Sequence, residues 1–289
     1  MRSVEEFLNR KFPNKKFVVL RKLLGGMMNN SLVLEDENKK KYVLYLPTVQ
    51  ANEMVDRELE KENQSICINL GITSDNFYFD VDSGIKINEF IEGYSLNNID
   101  DCDYEKVANL LKKLHASEKL SKKDYDPFTR LENFESERRS LGFNDTPEYS
   151  QIAENLYKNR EYLTKDKLVL SHNDFQKSNI IKDINNNYFV IDFEFMMNNY
   201  EVYDIACFGN GLVEEGHELL KTYFKDNLTV DLERKYYLWR VFVSLQWYNV
   251  AIIKHIRGEG ATHKMDFSKV ADHFFSNALE AYNSYLKLK

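Results

Sequence analysis

Two short segments carry residues that could do chemistry together. The first is Ser171-His172-Asn173-Asp174-Phe175-Gln176-Lys177-Ser178-Asn179. The second, Val190-Ile191-Asp192-Phe193-Glu194-Phe195, places Asp192 thirteen residues after Asn179. Moving a γ-phosphoryl group to an alcohol needs a carboxylate to accept or orient the hydroxyl proton. It also needs oxygen ligands to hold Mg²⁺ on the phosphates. Asp174 suits the first task, and Asn179 and Asp192 the second, as a neutral and a charged oxygen donor. Mg²⁺ keeps several of its waters, so two protein ligands suffice. Asp and Asn also favour turns, but the ordered occurrence of every part favours the chemical reading. His172 is assigned to orienting the loop and Glu194 to the neighbourhood of the metal and the acceptor.

These side chains need strands to aim them. Leu168-Val169-Leu170 and Tyr188-Phe189-Val190-Ile191 are apolar and β-branched or aromatic, and Asn185-Asn186-Asn187 between them is a turn signal. The expected arrangement is a loop, a hairpin, and a carboxylate at the end of the returning strand. Upstream, strands are expected over Phe17–Leu24, Ser31–Glu35, Lys41–Leu46, Asn76–Phe79 and Ile85–Phe90. They form a small antiparallel sheet with one main helix over Ala51–Leu70. Gly25-Gly26 lies in the first hairpin, where glycines let backbone N–H groups approach phosphates. After Gly93 the pattern turns helical, with helices over Asp103–Leu120, Phe128–Leu141, Tyr149–Leu163, Gly216–Phe224, Leu232–Arg257 and Phe267–Leu286. His115 reads as a packed histidine and Asp204 as a helix cap.

The 289 residues suffice for two domains, 43% hydrophobic content supports a real core, and a net charge of −7 disfavours a general nucleic-acid binder. Three scattered cysteines without metal spacing read as reduced thiols. With no signal peptide and no apolar run of membrane-spanning length, a cytoplasmic protein that does not enter membranes is expected. Nothing in the sequence speaks to oligomeric state.

The pattern His-x-Asp-x4-Asn followed by Ile-Asp-Phe-Glu closely resembles the phosphotransferase branch of the protein-kinase-like fold, which includes choline and aminoglycoside kinases. Further residues narrow the likeness to bacterial choline kinases: Leu24-Gly25-Gly26-Met27 with Asn29, Tyr42-Val43-Leu44, Pro47, Arg57, Glu60, Gly71-Ile72 and Glu89-Phe90-Ile91. The resemblance implies a two-lobed α+β fold, with a nucleotide-binding lobe over residues 1–92 and a helical lobe over 93–289. It implies ATP and Mg²⁺ as cofactors and choline as acceptor. Gly25, Gly26, Asn29, Glu60 and the hinge Glu89, Phe90 and Ile91 would serve the nucleotide, and the resemblance also implies an aspartate at 204 beside the catalytic loop, as the alternative to a cap. Choline's quaternary ammonium donates no hydrogen bond and is best held by aromatic faces. Trp247 and Tyr248, with Phe195, Tyr200 and Glu194, are the candidates to hold it. Ethanolamine and aminoglycosides stay open as acceptors.

One residue departs from the pattern. The third strand reads Tyr42-Val43-Leu44-Tyr45-Leu46, where the resemblance implies Lys or Arg at position 45. A phenol brings no positive charge to the phosphates, and Glu60 is left without its expected partner. Lys41, Arg57 and Lys61 are the candidates to compensate. Because of Tyr45, a non-catalytic nucleotide- or choline-binding protein also stays open.

Overall fold

The computed structural model describes residues 2–23, 29–263 and 265–288. The elements of the N-terminal part are α1 (Arg2–Lys11), β1 (Phe17–Lys22), β2 (Asn29–Asp36), β3 (Lys41–Pro47), α2 (Val49–Met54), α3 (Arg57–Asn69), β4 (Asn76–Phe79), β5 (Lys86–Glu89) and β6 (Gly93–Ser95). There follow α4 (Tyr104–His115), α5 (Pro127–Ser140), α6 (Pro147–Lys158), α7 (Arg160–Leu163), β7 (Val169–Ser171), β8 (Ile180–Asp183), β9 (Tyr188–Val190) and β10 (Met197–Asn199). The chain closes with α8 (Glu201–Phe208), α9 (Val213–Phe224), α10 (Val230–Ile256), α11 (Gly260–His263) and α12 (Phe267–Lys287).

The chain divides into two compact units, one of residues 1–94 with 181–195, the other of 95–180 with 196–289. The first holds the expected antiparallel sheet, in the order β1-β2-β3-β5-β4. Leu8 of α1 packs with Leu34, Tyr42, Leu44 and Ile87 on one face of it. On the opposite face α3 sends Glu60 to Lys86 of β5. The helix expected over Ala51–Leu70 is in fact two. Val55 and Asp56 are extended, and the Asp56 carboxylate accepts from the Leu59 N–H at 3.1 Å. An aspartate that can cap a backbone donor competes with helix continuation, so the chain restarts there.

The second unit is built round α10, 27 residues long and buried over most of its circumference. A helix apolar on all sides must be enclosed by others, and α5, α8 and α12 pack on it. The loop that carries Asp174 leaves β7, which pairs antiparallel with β10 in the register Met197↔Ser171. The sequence reading contained no strand at 197–199. Three residues are too few to show alternation, and this pairing is what anchors the start of the loop.

Candidate active site

In the first unit, five charged side chains converge. Glu60 is 1% exposed; its Oε2 accepts from Arg57 Nη1 at 2.6 Å and its Oε1 from Lys86 Nζ. Arg57 also lies 3.5 Å from Glu194 Oε1, which accepts from Asn29 Nδ2 at 2.5 Å. The expectation that Glu60 lacks a partner is therefore corrected: it has two. Of the compensating residues considered, Arg57 joins this cluster, whereas Lys41 pairs with Glu92 at 3.0 Å and Lys61 reaches the Phe79 carbonyl at 3.5 Å. The residue not anticipated is Lys86. A single lysine between Ile85 and Ile87 on a short strand was the available signal, because a buried ammonium demands a carboxylate.

Asp192 is exposed and has a positive φ of 70°, which aspartate tolerates better than most residues. It keeps solvent access, yet the protein crowded round its carboxyl raises its pKa, with Lys86 opposing and Glu60 adding to the rise. The Glu194 carboxyl is pushed up to about 7, by burial first and by Asp192 next. Burial would lower the Lys86 ammonium, but Glu60, Asp192 and Glu194 outweigh it and hold the pKa above the ordinary value. Burial likewise lifts the Tyr45 phenol to about 12, so it stays neutral.

The turn between β4 and β5 depends on Gly84, whose φ is +70°. A Cβ there would sit 2.6 Å from Asn52 Oδ1 and 2.7 Å from Arg57 Nε. Gly84→Ala is thus expected to destabilise the fold by roughly 1–3 kcal/mol and to disturb Arg57. Urea denaturation checks the first effect; an unchanged midpoint would show that the turn relaxes freely.

In the second unit the loop is braced from below. Asp204, fully buried, accepts from the His172 N–H at 2.8 Å and the Asn173 N–H at 2.7 Å, and meets His115 Nε2 at 3.1 Å. It lies within α8, whose N-cap is Tyr200, so the expected capping role is corrected. A buried acceptor with three donors is a brace. His115 is packed as expected, with Nδ1 3.0 Å from the Tyr223 hydroxyl. Asn173 takes a φ of 64°, and its Oδ1 accepts from Asn199 Nδ2 at 2.7 Å. The His172 ring meets Phe175 edge-on. Asp174, 9% exposed, has its Oδ2 held by Asn179 Nδ2 at 2.9 Å and Gln176 Nε2 at 3.1 Å.

The donor chemistry fits a hard cation. Asn179 directs its amide N–H groups to Asp174, to the backbone oxygen and to the carboxylate, both at 2.9 Å, and its carbonyl oxygen, a hard donor, takes only a long contact from the Ser178 hydroxyl at 3.5 Å. In the first unit, burial raises the pKa of both Asp192 and Glu194, and Asp192 adds to the rise of Glu194; their carboxylate oxygens are hard donors.

Other expected site residues fall as follows. Gly25 and Gly26 lie outside the described residues. The Phe90 N–H donates to the Lys41 carbonyl at 3.0 Å, and the Glu89 carbonyl accepts the Ser74 hydroxyl at 2.8 Å; Ile91 follows them. The Glu89 side chain pairs with Lys40, and Phe195 is half-buried. In the second unit, Trp247 stacks on Phe274, and Tyr248 packs on Tyr149 and Phe275. The tryptophan stacked on Tyr200 is Trp239, with centroids 5.7 Å apart. The two tryptophans share a helix face loosely enough that sequence spacing could not separate them.

Protein LicA of Haemophilus influenzae is 25% identical over 201 residues, which are 67% of this chain and 57% of that protein. The chain thus matches little more than half the length of this curated relative. The crystal structure of choline kinase LicA from Streptococcus pneumoniae superposes with a TM-score of 0.75 at 21% identity, covering 98% of this chain and 99% of that one. A structure of LicA in complex with AMP gives 0.73 at 21%, covering 100% and 98%. At such identities the structures establish the fold. No helix among the described residues is long and apolar enough to cross a membrane. The profile of the choline/ethanolamine kinase family matches residues 20–221, well over half of the sequence, and the chain belongs to that branch of the protein-kinase-like fold.

Proposed function

We propose that this chain transfers the γ-phosphoryl group of ATP to the hydroxyl of choline, giving phosphocholine, in the cytoplasm where ATP is available. The observation that carries the reading is the Asp174–Asn179 pair. A nearly buried carboxylate is gripped at one oxygen by the amide of Asn179, whose carbonyl oxygen is engaged only by a long contact from Ser178. In this reading Asp174 orients the acceptor hydroxyl and takes its proton. His172 and Asn173 keep the loop in place through their backbone bonds to Asp204. Asn179 and Asp192 would hold Mg²⁺, which neutralises phosphate charge when bound. Asn29, Glu60, the hinge Glu89, Phe90 and Ile91, with Gly25 and Gly26, serve the nucleotide; the AMP bound by a similar protein supports this. Glu194, Phe195 and Tyr200 serve the acceptor. Trp247 and Tyr248 are kept as candidates, and the buried Trp239 backs Tyr200 from the core.

Choline is favoured over ethanolamine on two grounds: the similar choline kinase, and the aromatic character of the Tyr200 surroundings, which suits a cation without N–H donors. An ADP-release assay with choline, ethanolamine and an aminoglycoside checks this. The expected kcat/KM for choline exceeds that for ethanolamine at least about tenfold, an energy difference of roughly 1.4 kcal/mol. Turnover on ethanolamine alone would move the acceptor assignment. Silence on all three with ADP still bound would favour a binding protein without catalysis.

A further inference from the structure

We propose that Lys86 of β5 supplies the positive charge that contacts the nucleotide's phosphates, standing in for a cation that β3 lacks at Tyr45. The inference rests on the nucleotide part of the reading above and not on the identity of the acceptor.

In kinases of this fold a lysine on the third strand binds phosphate and is held by a helix glutamate. Here the glutamate is present as Glu60, but the third strand offers an uncharged phenol. The sheet register shows how the charge is recovered. Tyr45 pairs with Lys86 on one side and with Ser31 on the other, and Lys86 pairs in turn with Phe79. Directly opposed residues of antiparallel strands place their Cβ atoms about 4.5–5.5 Å apart. A lysine stem spans that gap, so a lysine on β5 brings its ammonium into the row where a β3 side chain would project. Lys86 Nζ lies 5.0 Å from the centre of the Tyr45 ring and 5.8 Å from that of Phe79. Two aromatic faces thus flank the ammonium, one from each neighbouring strand, and restrain a side chain that is otherwise flexible.

Glu60 completes the positioning. Its other oxygen is fixed by Arg57, so it cannot swing away from Lys86. An ammonium has three donors; Glu60 engages one, and the others remain for phosphate oxygens. Charge balance points the same way. Glu60, Asp192 and Glu194 are three carboxylates facing two cations, Arg57 and Lys86. Without Lys86, a polyphosphate would enter a group of carboxylates countered by Arg57 alone. Tyr45 then has a role that its type explains: a neutral ring forms a platform for the cation from the next strand, where a second lysine would repel it.

The test separates phosphate recognition from folding by comparing two ligands. ADP and adenosine are titrated by calorimetry, without an acceptor, against the full chain. In Lys86→Met, ADP is expected to bind 10- to 100-fold more weakly while adenosine binds as before, and KM for ATP rises in parallel. Tyr45→Lys in the Lys86→Met background is expected to recover at least tenfold of the lost ADP affinity. If Lys86→Met alone is unstable, Lys86→Gln keeps a donor for Glu60 and removes the positive charge. The same selective loss of ADP is expected there. Unchanged ADP affinity in a folded variant, or equal loss of ADP and adenosine, overturns the proposal. A wild-type chain that binds ADP but phosphorylates no choline would sink the acceptor assignment and leave Lys86 standing.

Discussion

Asp174→Ala is expected to lower kcat by roughly 10²–10⁴-fold, with the far-ultraviolet circular dichroism spectrum unchanged. The carboxylate is the loop's acidic side chain beside Asn179, and the alanine leaves nothing to receive the acceptor proton. Truncation also releases Asn179 Nδ2, so a loss through Asn179, the proposed cation ligand, would add to it. Asp174→Asn removes that ambiguity. Its carbonyl oxygen can still accept from Asn179 and Gln176, as Oδ2 does now. The variant keeps the shape and loses only the charge and the basicity. It is expected to be nearly as inactive as the alanine variant, while KM for ATP moves little. Activity above about a tenth of wild type in Asp174→Asn, on the scale set by general-base losses, would remove the proton-acceptor assignment.

The second large effect is on stability. Asp204→Ala is expected to cost about 2–5 kcal/mol, because burying unsatisfied donors costs roughly 1–3 kcal/mol each. The His172 and Asn173 N–H groups both lose their carboxylate acceptor in the interior, and His115 loses its partner at Nε2. Asp204→Asn is expected to lie between the two, because an amide keeps one acceptor oxygen and turns a donor toward the other N–H. The urea midpoint measures both. A wild-type midpoint in Asp204→Ala would mean that the loop is braced elsewhere. Since the loop also carries Asp174, the asparagine variant is expected to lose turnover even where it remains folded.

These expectations rest on features of differing legibility. Asp174, Asn179 and Asp192 stand out in the chain because their spacing is short and local strands flank them. The first-unit sheet was legible for a similar reason: apolar stretches with turn residues between them reveal hairpins without any distant contact. The broken helix at Asp56 was not, since Val55 and Asp56 fit a helix pattern and only the capping bond to Leu59 favours a restart. Strand β10 escaped because three residues show no period, and its partners Ser171, Leu170 and Val169 in β7 lie far earlier in the chain.

The order of short motifs along the chain could announce a phosphoryl-transfer loop and a helical C-terminal part, since adjacent residues and their period set local structure. Which side chains meet across strands could not be announced. The row Ser31, Tyr45, Lys86, Phe79 exists because separate strands settle into one register, a choice made by the packing of both sheet faces. The same holds for Asp204 beneath His172 and for Trp239 against Tyr200: each pairing joins residues far apart in the chain, through burial that no local pattern records.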